Sequence, residues 1–315
     1  MDSPGTYELT TDITNSSAET CIRIRSSNVT FDGQGHAVDG VDSNGTGISI
    51  NRDPRSGQTD LSNVTVTGVA VTDWGTGIEL YETRDVTLAD SIIGSNGLGV
   101  TDSFSDSVAI VGNGITGNDG SGVYLSDTDS LTVRNNTVSD NGFAGIWVFR
   151  ADGEIANNTA SGNADGIFLE ESSVRVTDNI ANNNADAGIR IDGYTGDIPI
   201  SGNVVNGNAR GVELGGVENL SIEDTVARDN SEWAYYSPGR SNFPPAEPNT
   251  VSNFTTGSAT VSFEELGIAL NGVDAPPTDP EGWTNVGAYV NTTSTREDRE
   301  QRNGTFLALD VSYTD

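Results

Sequence analysis

Glu170, Asp192 and Glu213 stand 22 and 21 residues apart, and Arg190 lies two residues before Asp192. Carboxyl pairs a few ångströms apart, one protonated and one ionised, are what glycoside hydrolysis needs. Four aromatic residues occur upstream at related spacings: Tyr124, Trp147, Phe149 and Phe168. Aromatic faces beside carboxylates and a guanidinium suit a sugar chain, because CH faces meet rings and hydroxyls bond polar groups. The carboxylates alone are weak evidence: with 46 acidic residues in the chain, such pairs also arise by chance. Mutual repulsion among them could instead recruit Ca²⁺, which favours carboxylate oxygens, although no EF-hand-like or nonapeptide calcium repeat is present. No other cofactor or metal is expected.

These residues act together only if the chain brings them together, and its repeat says that it does. Gly-Ile/Val-x-aliphatic begins at Gly47, Gly77, Gly122, Gly145, Gly166, Gly188 and Gly211, with a weaker copy at Gly99-Val100-Thr101. Trp233-Ala234-Tyr235-Tyr236 follows at the same interval. A second alternating triplet comes after most copies, as in Val86-Thr87-Leu88, Val174-Arg175-Val176 and Leu220-Ser221-Ile222. A third opens on Asn, as in Asn136-Thr137-Val138 and Asn203-Val204-Val205. A lone Asn closes each unit: Asn96, Asn118, Asn141, Asn163, Asn184, Asn208 and Asn230.

Three short strands and three turns in about 22 residues make one rung of a parallel β-helix. Alternation puts the flanking aliphatics inside and the middle residue outside. No rung buries its apolar side alone, so stacking supplies the core. The 3.6-residue periodicity of a helical solenoid and the frame of a leucine-rich repeat are both absent. The expected fold is all-β: a right-handed single-stranded parallel β-helix of some nine turns, in which Ile167, Ile189 and Val212 lie one over another. The Asn column reads as scaffold, since an amide both donates and accepts and can bond its copies above and below. Nearby Gly residues read as left-handed turn positions.

The outward letter varies. Up the stack it gives Ser49, Glu79, Thr101, Tyr124, Trp147, Phe168, Arg190 and Glu213. Two residues on come Asn51, Tyr81, Ser126, Phe149, Glu170, Asp192 and Gly215. Tyr124, Trp147 and Phe168 form a stripe roughly 10 Å long at the rung spacing of a sheet. Exposed apolar stripes of that size tend to be functional. Three readings follow: sugar contact, cover by the C-terminal segment or by a partner such as a second subunit, and incidental exposure. In the sugar reading Tyr124, Trp147, Phe149, Phe168 and Arg190 bind, and Glu170, Asp192 and Glu213 are the catalytic candidates.

Bulk composition narrows the class. The 315 residues carry a formal net charge of −31, and all 15 basic residues are Arg. Lys is normally among the commonest residues. A dense acidic surface without it fits very high salt, where the Debye length falls to about 3 Å at 1 M. The alternative is an acidic extracellular protein at ordinary salinity. No basic stripe exists to meet nucleic acid. No apolar run of about 18 residues reads as a membrane span. Cys21 is the only Cys, so no internal disulfide forms, and Cys21-Ile22-Arg23-Ile24 reads as a strand with a buried thiol. No leader is visible, and Met1-Asp2 reads as a start placed after a removed one.

Asn28-Val29-Thr30-Phe31-Asp32-Gly33-Gln34-Gly35-His36-Ala37-Val38-Asp39-Gly40, preceded by Pro4-Gly5-Thr6-Tyr7-Glu8-Leu9, resembles the entry to a known group of β-helix proteins. These are the NosD-type periplasmic copper-binding family, also called the carbohydrate-binding and sugar-hydrolase repeat group. The repeats from Gly47 to Tyr236 resemble its secreted haloarchaeal members. The resemblance spans residues 4–240 and implies the fold. For function it implies carbohydrate binding or adhesion at the cell surface, a polysaccharide lyase or glycoside hydrolase, or a NosD-like role in metal-centre maturation. Copper favours His, Cys and Met, and the chain offers only His36, Cys21 and Met1. His36 reads as a hydrogen-bonded turn residue.

The expected organisation is an N-terminal cap over 1–20, the β-helix over 21–236, and a Pro-rich linker with a C-terminal β segment over 237–315. Strands are expected at Ala259–Phe263, Gly267–Leu270, Gly287–Val290 and Phe306–Val311, extending and capping the coil, and the end at Asp315 reads as a truncation. Ten Asn-x-Ser/Thr sequons, among them Asn15, Asn63, Asn135, Asn253 and Asn303, would permit glycosylation of a secreted protein.

Overall fold

The structure is a computed structural model. It describes residues 1–51, 61–193, 198–217, 220–237, 250–252, 254–256, 260–263, 268–272 and 288–291. The Pro-rich stretch from Pro238 to Pro248, the strand expected at Phe306–Val311, and Asn253 and Asn303 lie outside these residues.

The described chain coils into a parallel β-solenoid. Each rung contributes a first strand such as Asp165–Glu170, a second such as Ser173–Thr177, and a short third such as Thr159–Ser161. Second strands stack into an eleven-stranded sheet running from Gly5–Glu8 to Thr250–Ser252, every neighbour parallel. First and third strands join one hydrogen-bonded network, because Ala37–Asn51 and Ala70–Tyr81 run through from the third position to the first. The coil therefore takes in residues from both flanks of 21–236. Gly5–Glu8 pairs with Val29–Asp32, and Thr250–Ser252 pairs with Ser221–Glu223. Thr260–Phe263 continues the first-strand column, then pairs antiparallel with Ile268–Gly272, which pairs antiparallel with Ala288–Asn291. Three of the four expected C-terminal strands thus extend the sheets.

Stacking explains the aliphatic letters. Ile167 pairs with Ile189 and Ile189 with Val212, and all three are fully buried. One strand escaped the sequence pattern. Asp152–Ala156 carries Gly153 where its neighbours carry Leu131 and Val174, so it lacks the first aliphatic letter.

Two asparagine ladders close the rungs. Asn141 Nδ2 donates to Asn163 Oδ1 (3.0 Å) and to the Ile115 carbonyl (3.3 Å). Its Oδ1 accepts from the backbone N–H (3.1 Å) and Nδ2 (2.8 Å) of Asn118. Each amide thus satisfies itself and one backbone N–H of the rung before, which buried polar groups require. The same bonds link Asn113, Asn136, Asn158, Asn179 and Asn203 at the next turn. That second ladder was legible only as the opening residue of the third triplet.

The glycines divide into two roles. Gly162 (φ 73°) precedes ladder residue Asn163 in the left-handed conformation, which Asp140 and Asn183 adopt before Asn141 and Asn184. Gly188, which opens a repeat phrase, is needed for space instead. A Cβ there would lie 2.8 Å from the Gly211 carbonyl and 2.7 Å from Asn208 Nδ2.

Asp102 explains the weak copy at Gly99. It occupies the aliphatic column between Leu80 and Leu125 and is fully buried. Ser105 Oγ and Thr128 Oγ1 donate to its carboxylate, the latter at 2.6 Å. Burial outweighs those bonds and pushes its pKa up to about 6.

Candidate functional site

The first-strand column delivers its outward residues in register. Thr101 pairs with Tyr124, Tyr124 with Trp147, Trp147 with Phe168, Phe168 with Arg190, Arg190 with Glu213, and Glu213 with Tyr236. Beside it, Ser126 pairs with Phe149, Phe149 with Glu170 and Glu170 with Asp192. Every site residue expected from sequence therefore falls on one face, with Glu170 and Asp192 on adjacent rungs.

The aromatic side chains pack on one another. Trp147 lies 4.6 Å from Tyr124 and 5.2 Å from Phe143, ring centre to ring centre, and stacks on Phe168 at 5.7 Å with planes 14° apart. Phe168 is only 6 % exposed, so it serves mainly to hold Trp147 and Arg190. Tyr124 and Trp147 are partly open and Phe143 is exposed, which leaves a shelf across two rungs. Trp147 Nε1 is itself covered and has no hydrogen-bond partner in the described structure.

Past the aromatics the column becomes ionic. The Arg190 guanidinium sits 4.7 Å over the Phe168 ring, a cation–π contact. It donates twice to Asp192 Oδ2, from Nε at 3.0 Å and Nη2 at 2.6 Å, and lies 3.9 Å from Asp165. Burial opposes its charge, but Asp192, Glu213 and Asp165 outweigh burial and raise its pKa. One rung on, Arg210 bonds Asp186 and Glu213 (both 2.9 Å) and Glu232 (3.1 Å), 5.5 Å over the Tyr236 ring. Burial again opposes the charge, and these carboxylates raise the Arg210 pKa. Phe149 lies under Arg150, which pairs with Asp127 at 3.2 Å.

The three expected catalytic carboxylates have different settings. Asp192 is held by Arg190 and Glu213 by Arg210, and Glu213 is buried. The Glu170 carbonyl accepts from the Arg150 N–H and Ser172 Oγ, but its carboxylate makes no hydrogen bond or ion pair to a described residue and is partly open. Asp165, which sequence reasoning passed over, is buried beside Arg190. Burial raises its pKa, against the bond it accepts from the Ala187 N–H (3.0 Å) and the charge of Arg190. It precedes the rung glycine, a position the repeat phrase did not include. Tyr236 was hidden differently. The step from Glu213 to Tyr236 is one residue longer than the step read from Gly211 to Trp233, so Tyr235 pairs with Val212 in the core and Tyr236, one residue later, takes the outward column.

The residues that the resemblance linked to copper are occupied in the scaffold. His36 Nδ1 lies 2.9 Å from Asp12 Oδ1, between strands, as expected of a turn residue. Cys21 is half-buried rather than buried, with burial raising its thiol pKa, because strand Thr20–Ile24 is near the end of the coil. Among the described residues no three His, Cys, Asp or Glu side chains gather to hold a metal ion. Among the same residues no helix is long and apolar enough to cross a membrane.

Comparison with known proteins gives one family and several solved structures of similar fold. The pattern described as "Right handed beta helix region" matches residues 9–153, 46–205 and 105–264. No curated protein matches by sequence. Among solved structures, the periplasmic alginate epimerase AlgG (D317A mutant) is similar with a TM-score of 0.54 and 19 % identity, over 74 % of this chain and 60 % of that one. The A-module of the Azotobacter vinelandii mannuronan C-5 epimerase AlgE6 is similar with a TM-score of 0.50 and 17 % identity, over 80 % and 89 %. ORF18 of Geobacillus virus E2 gives 0.57 and 12 %, over 86 % and 56 %. The chain therefore spans about 60 % of the length of AlgG.

Proposed function

The chain belongs to the right-handed β-helix family, and on that premise we propose that it is an extracellular or cell-surface module that binds polysaccharide along the outward column of its first strands. In this reading it works in concentrated salt, as the secreted haloarchaeal members of the NosD-type group do. The single observation that carries the proposal is the in-register column Tyr124, Trp147, Phe168, Arg190, Glu213 and Tyr236. Rungs repeat about every 4.8 Å, close to the advance of an extended sugar chain per ring. Such a column offers each ring an aromatic edge or a polar pair. Support of a general kind comes from two proteins of similar fold whose names record action on alginate or mannuronan. Location and salt preference rest on the acid excess and the absence of Lys.

Binding is favoured over catalysis by the state of the carboxylates. Asp192 and Glu213 are locked to arginines and Asp165 is sealed from solvent, which leaves Glu170 without a free partner carboxyl. A lyase or hydrolase reading draws on the adjacent rungs of Glu170 and Asp192 and on the raised pKa of Asp165. A glycan array in multimolar salt, followed by affinity measurement with Trp147→Ala, tests the proposal. Binding that weakens in the folded variant supports it, and unchanged affinity removes it. Reducing-end or unsaturated products released from a bound glycan, abolished by Glu170→Gln, would favour the enzyme.

A further inference from the structure

Resting on the glycan-binding reading, we infer that the polymer taken by this face is neutral, not a polyuronate. Three guanidinium groups, of Arg150, Arg190 and Arg210, lie on or beside the column. Around them stand seven carboxyl groups: Asp127 at Arg150, Asp165 and Asp192 at Arg190, Asp186, Glu213 and Glu232 at Arg210, and Glu170 beside Phe149. Every one of the three cations is already in an ion pair within the face.

A uronate carboxylate entering here would have to displace Asp192 or Glu213 from its arginine and would then face the displaced group. Like charges brought together across a contact select against a partner. Salt screens this only where water and ions reach, and Glu213 and Asp165 are buried. A neutral hexose polymer meets no such barrier. Its hydroxyls donate to Glu170 and to the open oxygens of Asp192, and its CH faces lie on Trp147 and Tyr124. Polymers of the alginate class, which the two epimerases of similar fold act on by name, are thus the wrong substrate for this face.

Affinity electrophoresis of the intact chain in multimolar NaCl tests the inference with five probes. Laminarin, dextran and galactomannan are the neutral set, and polygalacturonate and polymannuronate are the charged set. At least one neutral polymer is expected to retard the chain and neither polyuronate to do so. Asp192→Asn removes the charge bonded to Arg190 and leaves only Asp165 at 3.9 Å, and Glu213→Gln removes one of the three carboxylates at Arg210. A folded variant of either kind is expected to bind polygalacturonate about tenfold more tightly than the native chain. Native binding of a polyuronate as strong as of any neutral polymer overturns the inference and leaves the glycan-binding reading standing. Folded variants with no gain overturn the charge argument. Retardation by none of the five probes removes the glycan-binding reading itself, and the inference with it.

Discussion

The inside of the coil and its outward first-strand face are written by the same repeat, yet they behave oppositely. Inside, one letter is copied: Asn over Asn from Asn96 to Asn230, and aliphatic over aliphatic at Ile167, Ile189 and Val212. Outside, no two neighbours match between Trp147 and Tyr236. Copying suits the interior because each amide must meet its own kind, and each Gly must leave room for the carbonyl above it. Variation is tolerated outside because the backbone ladder already fixes the position of every side chain. Repetition thus sets geometry, and in the proposed reading the departures from it carry recognition.

The largest expected effect is inside. Asn141→Ala removes the acceptor of two buried donors on Asn118 and the two bonds Asn141 itself donates. Unsatisfied buried groups cost about 1–3 kcal/mol each, so denaturant unfolding should show a loss of about 4 kcal/mol. A loss no greater than that of an exposed Asn would break the contrast between the two regions.

Asp102 is where the interior breaks its own rule, and Asp102→Asn sharpens the comparison. A carboxyl whose folded pKa is raised to about 6 from 3.8 favours folding while protonated. Its contribution is intact below pH 4, is lost as pH rises from about 4 to 6, and stays lost above that. The difference is about 3 kcal/mol at 1.36 kcal/mol per pKa unit. The Asn variant should therefore be more stable than the native chain by about 1–3 kcal/mol at pH 7, with the gain vanishing at pH 4. Thermal melts across that range check it, and a gain independent of pH would contradict the burial of an ionisable group.

Outside, substitutions should touch binding more than folding. Trp147→Ala is expected to weaken glycan binding about tenfold, roughly 1.4 kcal/mol, with a stability cost of about 1–2 kcal/mol from lost ring contacts. A variant that unfolds instead would assign Trp147 to the scaffold. The smallest effect is expected of Glu170→Gln. It should alter affinity by less than about threefold, since an amide still accepts from hydroxyls. Complete loss of product formation in that variant would move the chain to the enzyme reading.

Much of this was legible because a strand alternates strictly and rungs repeat at nearly constant length. Counting placed Tyr124, Trp147, Phe168, Arg190 and Glu213 in one column, and Glu170 beside Asp192. What counting missed lies where the period slips or where a residue falls outside the repeated phrase. A step one residue longer than the one counted from Gly211 moved Tyr236 into the column, and Gly153 erased the signature of a strand. Asp165 sits one place before the phrase begins. The second Asn ladder looked like strand composition because its members open a triplet. Asp102 was visible only as a weak repeat, since nothing local says that a carboxyl replaces an aliphatic side chain in the core.

The central claim is that the varied outward column is where a sugar chain lies. A crystal structure of the chain grown with an oligosaccharide cut from a polymer that it binds is the most direct measurement. The expected result is sugar rings following the rungs from Tyr124 to Tyr236, with at least one ring on Trp147. Oligosaccharide bound on the opposite sheet, or at a coil end with the column left bare, would contradict it.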